Sequence, residues 1–219
     1  MGAVIIEFMS QRRVGPRLPG ALASAVALIL AAACTSGPGP VDDPSYREQL
    51  QAQRAEKDDA FRKAKDSPIP AEARATFAGL HYYAVDPAYR VPAFLTVEQP
   101  NPPLIIELQT SSTERQRMRK VGNLGFTLAD ATYKLTAFAE SSSGSVDRLF
   151  VPFGDLTNVS ETYHGGRFLD LDKTPTGLYD LDFNRAYHPY CVYNPSYICP
   201  VPPNENRLAV AIPAGEKLK

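Results

Sequence analysis

The chain has 219 residues, with 23 Lys and Arg against 24 Asp and Glu and a net charge of −1. That balance lacks the basic surplus needed to bind a phosphate backbone, so nucleic acid is not an expected partner. Hydrophobic residues at 44% and charged residues at 21% exclude wholesale disorder, while 20 Pro, 14 Gly and no Trp favour a turn-rich fold over a helical bundle.

Residues 1–33 read as an export signal. Arg12, Arg13 and Arg17 form a basic start, and Ala21 to Ala33 form an apolar stretch interrupted only by Ser24. It is shorter than the roughly 20 residues of a membrane span and ends in small residues. Ala31-Ala32-Ala33-Cys34 resembles the lipobox of bacterial lipoproteins, which makes the Cys34 thiol the expected lipid acceptor. A plain cleaved secretory signal and an uncleaved anchor are the alternatives. Cleavage before Cys34 removes Arg12, Arg13, Arg17 and Glu7 and leaves a mature chain of net charge −3. With no polybasic patch to assist, membrane attachment falls to the acyl chains. The expected location is therefore outside the cytoplasm, lipid-anchored at the cell membrane or outer membrane and facing periplasm or exterior. Residues 34–44, rich in Gly and Pro, read as a flexible tether.

Ser45-Tyr46-Arg47-Glu48 has capping-box spacing, and Ser67-Pro68-Ile69-Pro70 is a stop signal, so a helix is expected over 45–66. Its apolar stripe of Tyr46, Leu50, Phe61 and Ala64 is thin, which suits a packing strut. Residues 67–219 read as β structure. Tyr89, Val91, Ala93, Leu95 and Val97 alternate, and further short segments follow at 104–109, 124–128, 132–140, 149–153, 167–171, 178–183 and 208–212. Ala129-Asp130 is the expected turn of a hairpin. Such segments argue for a mainly β fold, an antiparallel sandwich or barrel with an N-terminal helix. No crossover helix separates the strands, which disfavours a parallel α/β sheet.

Two stretches carry a family resemblance. Asp155-Leu-Thr-Asn158, Glu161-Thr-Tyr163 and Gly166-Arg167-Phe168-Leu169 form the first. Asp182-Phe-Asn184-Arg185-Ala-Tyr187, Cys191, Tyr193-Asn194, Cys199-Pro200, Glu205-Asn206 and Ala214-Gly215-Glu216 form the second. Together with Phe77 to Val91 and Gly122 to Phe126, they make residues 44–217 similar to the bacterial family named Domain of Unknown Function 1684. The sequence departs from the family pattern at His164 and His188. The resemblance implies that lipoproteins occur among its relatives, and it brings no activity, substrate or cofactor.

Cys191 and Cys199 remain as an even pair in an exported domain, for which a disulfide is the first reading. Two buried thiols, a metal site and a redox pair are the alternatives. The Cys-x7-Cys spacing is wrong for the usual metal and redox motifs, so neither a metal nor another cofactor is expected. Asp180 and Asp182 lie two apart on a strand, as an acid/base pair would, or as an outward polar face would. Glu161, Glu205 and Asp182 are the candidate catalytic carboxylates. Arg167, Asn184, Arg185 and Tyr187 are the candidate ligand-binding groups, suited by their planar donors to an anionic or carbohydrate-like ligand. The same residues equally suit the pinning of long loops. No nucleophile elbow, phosphate loop, dinucleotide fingerprint or zinc-protease helix is present. Two functions follow: an envelope lipoprotein whose β domain binds a small molecule, a glycan or a partner, or a hydrolase-like enzyme working through carboxylates of the 155–206 region.

Overall fold

The computed structural model describes residues 43–98, 100–142 and 145–219. The segment expected as an export signal and Cys34 lie outside them, as does all of the expected tether but Asp43 and Pro44. The helix α1 runs Pro44–Lys63, with Asp43 as its cap: the Asp43 carboxylate accepts from Ser45 N–H at 2.9 Å. The cap thus sits two residues before the Ser45 position expected from the capping-box spacing, because Asp43-Pro44 supplies both an acceptor and a first-turn proline. Only Tyr46, Leu50 and Phe61 are buried along α1. Polar pins make up for that thin stripe. Arg47 Nη1 donates to Val85 O at 2.7 Å, Arg54 Nη1 to Tyr83 O at 3.1 Å, and Asp58 Oδ1 accepts from Leu80 N–H at 3.0 Å. No described helix is long and apolar enough to cross a membrane.

The β elements are β1 (His81–Tyr82), β2 (Arg90–Val97), β3 (Ile105–Gln109), β4 (Arg115–Leu128), β5 (Ala131–Glu140), β6 (Arg148–Phe153), β7 (Arg167–Asp172), β8 (Leu178–Asp182) and β9 (Glu216–Lys217). The main sheet is antiparallel with order β7-β6-β5-β4-β2-β8, and β3 pairs with the first half of β4. Its end strands β7 and β8 approach each other, so the sheet curls into a nearly closed barrel. The mainly β, antiparallel expectation with one N-terminal helix is met.

The β4–β5 hairpin turns at Ala129 and Asp130, whose φ of 48° and 63° are those of a tight two-residue turn. A bulge between Lys120 and Gly122 bends β4 between its partners β2 and β3. Gly122 is required there, since a Cβ would stand 2.2 Å from Thr96 O. Leu124, Leu135, Leu149, Val151, Phe153, Leu181 and Phe183 fill the barrel. Residues 208–212, expected as a strand, are instead irregular: Leu208 N–H bonds Gly154 O, and Leu208 and Ile212 plug the barrel end.

A second apolar cluster lies on the sheet's outer face. Leu108, Met118 and Phe138 are buried there, with Ile106 and Phe150 against them. Among the described residues β5 and β6 pair only at Phe138 and Phe150. The segment 187–200 crosses over it as a strap. One end is held by paired backbone bonds between Tyr187 and Phe168 on β7, the other by Cys199 O accepting from Ser111 N–H and by Val201 N–H donating to Gln109 O.

Candidate functional site

The signature residues work chiefly as pins. Arg167 is fully buried at the start of β7. Its Nη2 donates to Asp155 Oδ2 at 2.9 Å and to Ile212 O at 2.8 Å, and its Nη1 to Glu216 O at 3.0 Å and to Ala214 O. One guanidinium therefore gathers the C-terminal segment onto the barrel. Asp182, 2% exposed at the end of β8, accepts from Tyr46 Oη at 2.8 Å, Asn184 N–H at 3.0 Å and Arg185 Nε at 2.9 Å. Asn184 clamps the backbone of Asp86 from both sides, donating to its O at 2.8 Å and accepting from its N–H at 3.0 Å. Arg185 spans Asp182 and Gln53 of α1.

Among the described residues Arg167 and Asp182 share no hydrogen-bond partner, and neither lines the cleft under the strap. Asp180, the other half of the expected pair, lies at the surface in a fork with Arg90, Oδ2 to Nη2 at 2.7 Å. Glu161 accepts from Tyr83 Oη at 3.2 Å, and Glu205 is exposed on a short turn. The three candidate catalytic carboxylates are not brought together. Among the described residues, no cluster of His, Cys, Asp and Glu is arranged to hold a metal ion.

Tyr187 is different. It lines an open cleft of about 780 Å³ between the strap and the outer face of β4–β7. Phe150, Phe168, Tyr190 and Tyr197 supply further aromatic wall, and Met118 and Ile198 further apolar surface. Carboxylates of Glu140, Asp147 and Asp170 and the cations Lys57 and Arg148 complete the lining. Tyr187 Oη donates to Asp170 Oδ2 at 2.9 Å, and burial first and Asp170 second raise its phenol far above the ordinary range, so it stays protonated. The outer apolar face was the signal the sequence offered: Phe150 and Phe168 occupy the outward positions of β6 and β7, next to inward Leu149, Val151 and Leu169. A strand apolar on both faces is covered on both. Lys57 on α1 and Glu140 on β5 had no such signal.

Behind the cleft sits Glu216, 1% exposed. It accepts from Lys57 Nζ at 2.5 Å, from His188 N–H at 2.7 Å and from Tyr193 Oη at 2.8 Å. His188 Nδ1 lies 3.9 Å from the same carboxylate, but the pair is not an ion pair. His188 Nε2 accepts from Tyr163 N–H at 3.2 Å, which requires a lone pair there. Burial first, then the charges of Arg167 and Lys57, push the imidazole down to about 3.

Stability should follow. An unfolded imidazole takes its proton near 6.5 and the native one near 3, so the unfolded state binds more protons in between. The contribution of neutral His188 is complete above pH 6.5 and is lost as pH falls toward 3. Urea melts of wild type and His188→Gln at pH 5 and 7 check this. The wild type should lose more stability on acidification than the variant, and equal losses would contradict it.

The thiols of Cys191 and Cys199 are unbonded in the structure and adjacent across the strap. Cys191 N–H points at Cys199 Sγ at 3.2 Å, and Cys191 Sγ lies 4.0 Å from Tyr163 Oη. Burial foremost pushes the Cys199 thiol up to about 12. Cys199 also lines the cleft.

The family model described as "Protein of unknown function (DUF1684)" matches residues 75–217. Its match takes in the barrel and the strap, while α1 precedes it. The solution NMR structure of an uncharacterized protein from Haloarcula marismortui is 40% identical, with a TM-score of 0.63, covering 80% of this chain and 95% of that one. No curated protein matches the chain.

Proposed function

The chain belongs to the DUF1684 family of proteins of unknown function, and from that premise we propose that it is a lipid-anchored envelope protein that binds a small ligand under its strap. The cleft carries this reading. At about 780 Å³, with aromatic and apolar walls and five charged side chains in its lining, it has the size of small-molecule sites. Thermal-shift screening of metabolites and glycans against wild type and Tyr197→Ala tests it. A ligand at a hundred times its Kd stabilises by about 2.7 kcal/mol, and the variant should lose most of that. Equal stabilisation of both proteins would place the ligand elsewhere.

The anchor is proposed from Ala31-Ala32-Ala33-Cys34 and the Gly/Pro tether. Detergent phase partitioning separates the alternatives: the wild type should enter the detergent phase and Cys34→Ser the aqueous phase. An exported domain also meets oxidising conditions, so we propose that Cys191 and Cys199 join there. Their contact in the strap supports this, and closing so short a loop contributes about 2.5 kcal/mol. Alkylation of native exported protein without reductant should label neither cysteine. Labelling of both would leave them as buried thiols.

A further inference from the structure

We infer that the cleft selects an organic cation, a protonated amine carried on an apolar body. This rests on the cleft being the binding site and goes further, to the charge of its occupant.

The aromatic wall already holds an ammonium. Lys57 Nζ stands 4.8 Å from the centroid of the Tyr187 ring in that wall and 5.3 Å from that of Phe61, which lies outside the lining. Rings attract cations by their negative faces, and more strongly where water is excluded. Tyr190, 42% exposed, and Tyr197 meet edge to face at 5.4 Å and extend that wall along the strap.

The charges of the lining do not cancel. Lys57 is matched by Glu216, which lies behind the cleft rather than in its lining. Arg148 Nε lies 3.4 Å from Asp172, its cross-strand neighbour, which is likewise outside the lining. Glu140, Asp147 and Asp170 are left facing the cleft. Asp147 and Asp170 accept from the neutral hydroxyls of Ser145 and Tyr187, which orient them without neutralising them. Aromatic surface with unmatched carboxylates around it favours a cation over a neutral or anionic ligand of equal shape. Arg167 and Arg185, the arginines that would have drawn an anion, are spent on Asp155 and Asp182.

Calorimetric titration with three probes of similar body tests the inference: 2-phenylethylammonium, 2-phenylethanol and 3-phenylpropionate. The cation should bind at least about tenfold more tightly than the alcohol, with the propionate weakest. The preference should shrink at about 0.5 M salt, because the rim carboxylates are exposed. The double variant Glu140→Gln, Asp147→Asn removes two exposed carboxylates of the lining and should lower cation affinity about fivefold, narrowing the preference over the alcohol. An alcohol or propionate that binds as tightly as the cation overturns the inference and leaves the cleft standing. If none of the three binds, or Tyr197→Ala weakens none of them, inference and binding site fall together.

Discussion

Arg167→Met should destabilise the domain by about 3–5 kcal/mol, a large share of the roughly 5–15 kcal/mol that holds a domain folded. Methionine fills much of the same space, so the loss is not chiefly that of a cavity. It comes from what the guanidinium leaves behind: the Asp155 carboxylate, itself fully buried, and the carbonyls of Ile212, Ala214 and Glu216. A buried acceptor without a donor costs more than the bond contributed. Asp155 keeps partners in Thr157 N–H and Ile212 N–H, but neither brings a compensating charge. Arg167→Lys should fall between, because an ammonium can meet Asp155 but cannot fork to three carbonyls. Denaturant midpoints of the three proteins measure the ranking. If Arg167→Met melts within about 1 kcal/mol of wild type, the guanidinium is not the pin.

Asp182→Ala should cost about 2–4 kcal/mol and release α1 from the barrel. The carboxylate is the shared acceptor for Tyr46 on the helix and for Asn184 and Arg185 on the turn after β8. Without it the Tyr46 hydroxyl is buried unpartnered, and the turn loses its cap. Tyr46→Phe isolates the helix contribution and should cost about 1.5–3 kcal/mol, the usual worth of a hydrogen bond to a charged group. Hydrogen exchange along residues 44–63 distinguishes undocking from general loosening. Exchange in Asp182→Ala should speed up there well before it does in β4 and β5. Uniform acceleration would mean that Asp182 supports the barrel rather than the helix.

Strands with one buried face were legible in the sequence. Val91, Ala93 and Leu95 alternate because β2 has only one side in the core, and β8 alternates likewise at Tyr179 and Leu181, whereas β5, β6 and β7 contain continuous buried runs and are covered on both faces. The first half of β4 was not legible, since Arg115 to Lys120 runs out beyond β2 and presents charge on an arm paired with β3. Leu208 to Ile212 misled for the opposite reason: a plug is as apolar as a strand. The signature arginines and Asp182 show a deeper ambiguity. A pin and a ligand site both use planar donors near carboxylates, and only the partners that the fold brings to each donor separate them. Arg167 is fully buried, with both Nη atoms engaged and its Nε without a partner among the described residues; Tyr187 sits at a cleft. The cleft itself joins α1, β4 to β7 and the strap, and no local pattern reports an enclosure built from such distant segments.

Mapping of amide shifts by nuclear magnetic resonance during titration with 2-phenylethylammonium tests most directly whether the strap covers the binding site. Shifts should concentrate at Phe150, Asp170, Tyr187, Tyr190 and Tyr197, with the amides around Tyr46, Asp182 and Arg185 unmoved. Shifts centred on Asp182 and Arg185 with a silent strap would contradict it, and would return the signature residues to the role of ligand site.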